Sequence, residues 1–140
     1  MAAALRRLEP GDESLFDAVA PEVFDAPIDA AWLGAYLRTP GHMMVVALLD
    51  GQIVGQCAGV IHHHPDKPDE LYVDEVGTAT THLRRGIARR MLAELFAWAR
   101  ERGCTEAWLG TESDNGPALA LYRGLTPVED EAIRYFLFKL

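Results

Sequence analysis

Thr81-His82-Leu83-Arg84-Arg85-Gly86-Ile87-Ala88-Arg89-Arg90-Met91-Leu92 is the stretch on which the reading of this chain turns. It reads as a loop that runs into a helix, and the β-branched run Leu71 to Val76 just before it reads as a strand. Gly86 and Ala88 keep the main chain bare at the turn, so a ligand can come close to the backbone. The helix that follows begins with N–H groups lacking intrahelical partners and with the positive end of its dipole. Such a place attracts anions, most often phosphate. Arg84, Arg85, Arg89 and Arg90 crowd the same turn in a chain of formal charge -8, so the basic cluster is local. A solvated helix face would also carry arginines. The preceding strand and the bare turn favour a phosphate cradle.

The 140 residues suffice for one domain with a proper core and not for two, so residues 1–140 are expected to form a single domain. Hydrophobic residues make up 49% and charged residues 24%, the profile of an ordinary globular protein. No long apolar run and no signal-peptide pattern is present, so the chain is expected to be cytoplasmic, with no membrane contact. Cys57 and Cys104 stand far apart without metal or redox spacing and are expected to be reduced core thiols. A pI of about 5.0 argues against nucleic-acid binding. An acidic protein with one basic cluster suits two ligands of opposite charge.

The remaining elements follow in chain order. Leu5 to Leu8 reads as a first strand, and Asp12 as the cap of a helix starting at Glu13. Pro27 and Asp29 frame a second helix whose Trp32, Leu33, Tyr36 and Leu37 form a stripe expected to be core. Met43 to Leu49 and Ile53 to Ile61 read as strands joined by the hairpin signal Asp50-Gly51. His62-His63-His64 resembles a metal tract, but three adjacent side chains cannot face one ion from an extended strand. An exposed loop edge is expected there, and no metal. Glu70 to Thr78 reads as the central strand, and the helix after Gly86 has a broad apolar face ending at Gly103. Thr105 to Thr111 reads as a strand, Asn115-Gly116-Pro117 starts a short helix, and Ile133 to Leu140 reads as a last strand. The order predicts a mixed sheet with helices on both faces.

Three glycine-loop families compete for the central motif. A P-loop needs Gly-Lys-Ser/Thr at the helix start, and a dinucleotide fingerprint needs three glycines; this chain has Arg85-Gly86-Ile87. With Val76-Gly77-Thr78 before the loop and Asn115, Ala118 and Tyr122 after it, the chain resembles the GNAT acetyltransferases over roughly residues 42 to 140. The resemblance implies an α+β fold: a central, mostly antiparallel mixed sheet of six to seven strands with a splayed central pair, and helices on both faces. It also implies acetyl-CoA as the acetyl donor. The amides around Leu83, Arg84, Arg85, Gly86, Ile87 and Ala88 would hold the pyrophosphate, and Arg89 or Arg90 would reach outer phosphates. The main chain of Val76 and Thr78 would pair with pantetheine, while Asn115 and Ala118 would line that arm and Tyr122 would stand near the sulfur as general acid. The chain departs from the family at Leu83, where Gln or Arg is usual, at Thr126-Pro127, and in its short C-terminal end.

The chemistry independently asks for such a set. A fixed N–H is valuable where the thioester oxygen gains charge, and the protonated acceptor amine needs a group to take its proton. Candidate acceptors are Glu75, Asp74 and Glu112, in that order, with strand alternation sending Asp74 and Glu75 to opposite faces. Within the family the chain looks most like the aminoglycoside 3-N-acetyltransferases. Glu70-Leu71-Tyr72, His82 and Arg84 before Gly86-Ile87-Ala88, Pro117-Ala118, Ala120-Leu121-Tyr122 and the acidic Val128-Glu129-Asp130-Glu131 carry that likeness. A small polycationic amine would then meet the acidic residues Glu22, Asp25, Asp29, Glu75, Glu112, Asp114 and Glu129. A polyamine or diamine, or a protein N-terminus or lysine, remains an alternative acceptor. An acetyl-CoA-binding module without turnover is the alternative of another class. The family is often dimeric, and the final strand is the segment placed to join such a contact.

Overall fold

Five strands form one sheet in the order β1-β2-β3-β4-β5: β1 Ala4–Arg7, β2 His42–Leu49, β3 Gln52–His62, β4 Glu70–Thr78 and β5 Glu106–Trp108. The first three pairings are antiparallel and β4 pairs with β5 in parallel. The computed structural model describes residues 1–140, which divide into two units, Met1–Leu109 and Gly110–Leu140. The mixed, mostly antiparallel sheet with helices is as expected, with five strands where six to seven were expected.

In the first unit the hairpin between β2 and β3 closes at Asp50 and Gly51, both in the left-handed region at φ 52 and 74. Two left-handed central residues match the twist of the flanking strands. Side chains on one face of the sheet meet α2, Ile87–Glu101. That helix buries Ile87, Met91, Leu92, Leu95, Trp98 and Ala99, most of the broad apolar face expected of it, with Ala88 and Phe96 half-buried. It lies against Gly55 and Gly59 of β3, and Arg7 of β1 ties to its Glu94 at 2.7 Å and Glu101 at 2.5 Å. Cys104 N bonds Ala99 O and Gly103 N bonds Arg100 O, which ends the helix at Gly103 as expected.

The opposite face is covered by residues 18 to 29 and by α1, Ala30–Arg38. Asp29 caps α1 by accepting from Trp32 N at 2.9 Å. The helix buries only Gly34 and Leu37, so its apolar stripe is narrower than expected and Trp32 stands 78% exposed. The helix expected from Glu13 is a five-residue 3-10 turn, Glu13–Asp17, with no side-chain cap. Asp12 is engaged elsewhere, by the Arg6 guanidinium at 2.6 Å and Glu9 N at 2.9 Å. A charge-assisted pair is the stronger claim on that carboxylate.

The histidine tract divides. His63 is exposed beside Asp69, whereas His64 turns inward, 2.8 Å from Glu70 and against the His62 ring. Cys57 and Cys104 are free and buried, and burial pushes the Cys57 thiol up to about 12.

The second unit contains α3, Gly116–Arg123, followed by a link from Arg123 to Asp130 at 2.8 Å. The strand expected over Ile133 to Leu140 is absent: those residues pair with no other strand, and Tyr135 and Phe138 are 83% and 78% exposed. Alternating apolar residues supply strand propensity, but a strand also needs a ladder partner. The strand expected over Thr105 to Thr111 shrinks to Glu106–Trp108 because β4 pairs with it only at Glu70, Leu71 and Tyr72.

Candidate active site

The loop before α2 is built to expose amides. Thr80–His82 form a 3-10 turn, then Arg84 and Gly86 take left-handed conformations at φ 61 and 73. Left-handed residues within such a turn gather successive N–H groups on one side, the arrangement that binds anions. The first helical bond runs from Arg90 N to Gly86 O at 3.1 Å, so the N–H groups of Ile87 and Ala88 precede the ladder. The first turn contains no acidic residue to neutralise the dipole. Arg84, Arg85, Arg89 and Arg90 are solvent-exposed around this turn, as is Leu83, while Ile87 is buried and serves as the helix's anchor.

Beside the loop, β4 opens. Its pairing with β5 stops at Tyr72–Trp108, where the two rings stack at 4.3 Å, and β4 continues alone on that side to Thr78. On its other side Ala79 N bonds Val54 O at 2.8 Å. Backbone groups alternate sides along an antiparallel strand, so the N–H and C=O of Thr78 and Val76 face the open side. The expected splay thus lies between β4 and β5, with the two residues singled out from the sequence on its rim.

The carboxylates correct the expectation of opposite faces. The β3–β4 register shifts so that Asp74 and Glu75 together oppose Ala58. This bulge interrupts the alternation and re-aims one side chain. Both carboxylates now act on the Tyr36 phenol of α1, which burial and then Asp74 and Glu75 hold far above its ordinary value. Burial, then Asp74 and Asp25, raises the Glu75 carboxyl, against a lowering hydrogen bond from Gln56 Nε2 at 3.1 Å. Partial desolvation raises Asp74 too, offset in part by His42. Asp25 lines a cavity of about 290 Å³ with Glu22, Phe24 and Ile28.

Other acidic candidates are placed differently. Asp29 is used as the α1 cap and does not line that cavity. Glu112 and Asp114 are exposed in the second unit, in the turn before α3, not at the end of a strand. Glu129 is exposed beyond that helix. Asn115 caps α3, its Oδ1 accepting from Ala118 N at 3.1 Å, and Ala118 and Tyr122 lie four residues apart on one half-buried face of α3.

Sequence reading missed Tyr36, His42 and Gln56. Tyr36 sat in a stripe assigned to the core. Gln56 carried a usable signal: it is an amide within the apolar run from Ile53 to Ile61, and it is 1% exposed.

A bare-amide turn at a helix N-terminus, beside an opened parallel strand pair, defines an α+β domain suited to an elongated ligand with an anionic end. The chain belongs to the acetyltransferase (GNAT) family, whose model matches residues 6–125. It is 35% identical over 103 residues to the N-alpha-acetyltransferase RimI of Mycobacterium tuberculosis. That match takes in 74% of this chain and 63% of the relative, so the chain spans less than two thirds of the relative's length. Its fold is similar to that of an aminoglycoside acetyltransferase from an uncultured soil metagenomic sample in complex with sisomicin, with a TM-score of 0.83, 21% identity, and coverage of 99% and 96% of the two chains. It is similar in fold also to AAC(6')-Iy in complex with the bisubstrate analog CoA-S-monomethyl-acetylneamine, with a TM-score of 0.82, 17% identity and full coverage of both chains.

Proposed function

We propose that the chain is an acetyl-CoA-dependent N-acetyltransferase, acting as one domain across residues 1–140, whose acceptor is a primary amine of a small polycation. Family membership supports the donor, and so does the fit of the residues present: exposed amides and arginines around Gly86 for phosphates, and the open rim at Val76 and Thr78 for an amide-bearing arm. When bound, acetyl-CoA supplies the activated acetyl group.

The chain's own residues then divide the work. Loop amides and Arg84, Arg85 and Arg89 hold the anionic end, and a main-chain N–H of the β4 rim steadies the carbonyl oxygen as charge builds on it. Glu75 takes the proton of the acceptor ammonium, with Asp74 beside it. Tyr122 gives a proton to the departing sulfur, since a phenol titrates near 10 and a thiol near 8.5. Asn115 keeps its side-chain NH2 available as a donor to the pantetheine arm while its oxygen caps α3. The amine attacks directly, with both substrates bound.

The observation that carries the acceptor class is the pair of carboxylates Glu75 and Asp74, brought to one face by the bulge, with Asp25, which lines the 290 Å³ cavity, acting on Glu75. A cationic amine suits it, and within that class we favour an aminoglycoside, acetylated at the 3-amino position on the sequence resemblance. The RimI likeness favours a second reading, a protein N-terminal amine. No helix is long and apolar enough to cross a membrane, and a cytoplasmic site of action fits the reading. A homodimer completed through Ile133–Leu140 belongs to the same proposal. Thiol release from acetyl-CoA, measured against gentamicin-type aminoglycosides, spermidine, putrescine and short peptides, tests the assignment. Turnover with aminoglycosides alone supports it. Turnover only with peptides or polyamines replaces the acceptor, and binding of acetyl-CoA with no turnover makes the chain a cofactor-binding module.

A further inference from the structure

Gln56 is the polar side chain buried in the middle of β3, and its amide is oriented by two acceptors. Nε2 donates to Glu75 Oε1 at 3.1 Å and to the Val23 carbonyl at 3.3 Å. Turning the amide over would set its oxygen against both of those oxygens, so the orientation is fixed. The opposite end, Oε1, is buried without a donor from the protein. A buried carbonyl left unpaired is unfavourable, so stability alone does not account for an amide here. The Val23 carbonyl lies so close over β4 that any side chain on Gly77 would run into it. The segment from Ala18 to Asp25 is thus pinned to the sheet, by Ala20 N to Ile53 O at 2.8 Å and by Gln56 at Val23. Its Asp25 in turn acts on Glu75.

We propose that Gln56 is a positioning residue, which orients the Glu75 carboxylate toward the acceptor amine and locks the Asp25-bearing loop to the same carboxylate. The inference rests on Glu75 being the base. One NH2 group serves both partners, so a shift of the loop on acceptor binding is felt at the carboxylate. The other charged or titratable groups around Glu75 are Asp74 on the same strand, Asp25 on the loop and Tyr36 on α1, with His42 of β2 acting on Asp74.

The test is steady-state kinetics of the full chain, with an amine identified in the thiol-release panel, for Gln56→Met, Gln56→Glu, Glu75→Gln and the double variant Gln56→Met/Glu75→Gln. Gln56→Met is expected to lower kcat by roughly tenfold, a part of the about hundredfold or more that a general base supplies, with the KM for acetyl-CoA unchanged. Its acid limb moves to higher pH, because the lost N–H favoured the charged carboxylate. In the double variant the Gln56 change adds nothing to the loss in Glu75→Gln, the coupling of groups that act as one. Gln56→Glu keeps the length and sets a second carboxyl beside Glu75, so its limb moves upward as well, which decides the matter if Gln56→Met fails to fold. Wild-type kcat and limb in a folded Gln56→Met, additive losses in the double variant, or an unmoved limb in Gln56→Glu would overturn the positioning role. Full turnover in Glu75→Gln would remove the base itself, a failure separate from these.

Discussion

Glu75 concentrates the chemistry at the scale of single residues. Its carboxyl lies above the ordinary 4.5 because burial and the neighbouring Asp74 and Asp25 disfavour its charge. A carboxylic acid raised in the folded state stabilises the fold fully below its unfolded value and loses that contribution as pH rises through its folded value. Glu75→Gln, which mimics the neutral form, is therefore expected to melt above wild type at pH 7, with the gap closing as pH falls to about 4.5. Thermal melts between pH 4 and 8 check this, and a gap independent of pH would contradict it. In turnover the same variant should lose about a hundredfold or more in kcat. Tyr122→Phe should lower kcat as well while leaving acetyl-CoA binding intact; unchanged turnover would end its assignment as general acid.

Among the secondary-structure elements, the α2 entry and the β4 rim are the parts to perturb. Gly86→Val places a β-branched side chain at φ 73, where left-handed backbone costs an L-residue about 1–2 kcal/mol. Weaker acetyl-CoA binding and a lower melting temperature are expected, and calorimetry reads both. Gly77→Ala should push the Val23 carbonyl off β4 and raise the KM for the amine. These elements also show what could be read in advance. β4 matched its expected bounds, Glu70 to Thr78, and α2 buried most of its expected apolar face, since period and glycine placement are local signals. The bulge at Asp74 was not legible, because it depends on how β4 registers against β3. Strict alternation therefore misplaced one of two adjacent carboxylates. The extent of β5 likewise depends on where β4 leaves it, which no local pattern encodes. Trp32 shows the remaining failure, since helical spacing tells which residues share a face and not how wide a face its neighbour covers.

For the whole molecule, charge and the C-terminal segment set the expectations. At net charge -8, attraction of a polycation is long-range and screened by salt. Raising ionic strength about tenfold, which shortens the Debye length about threefold, should raise the KM for a polycationic amine more than for a neutral one. Equal changes would argue against the acidic cavity as the acceptor site. The exposed Ile133, Tyr135, Phe136, Leu137 and Phe138 form a run that water solvates poorly. Sedimentation across micromolar concentrations should show reversible dimers for the full chain and monomers for a chain ending at Ala132. Identical sedimentation would exclude the segment from the contact.

The early parting of β5 from β4 has one more consequence. Between Val73 and Thr78 the outer side of β4 is a strand edge with no ladder, and such an edge is a template for any extended chain that meets it. A ligand arm lying along the rim would act as the missing neighbour, so the amides of Val76 and Thr78 should exchange with deuterium quickly in the free protein and slowly when the arm is bound. Solubility would then track occupancy: protein depleted of acetyl-CoA would be the form prone to self-pairing and aggregation, and protein kept saturated would have that edge guarded.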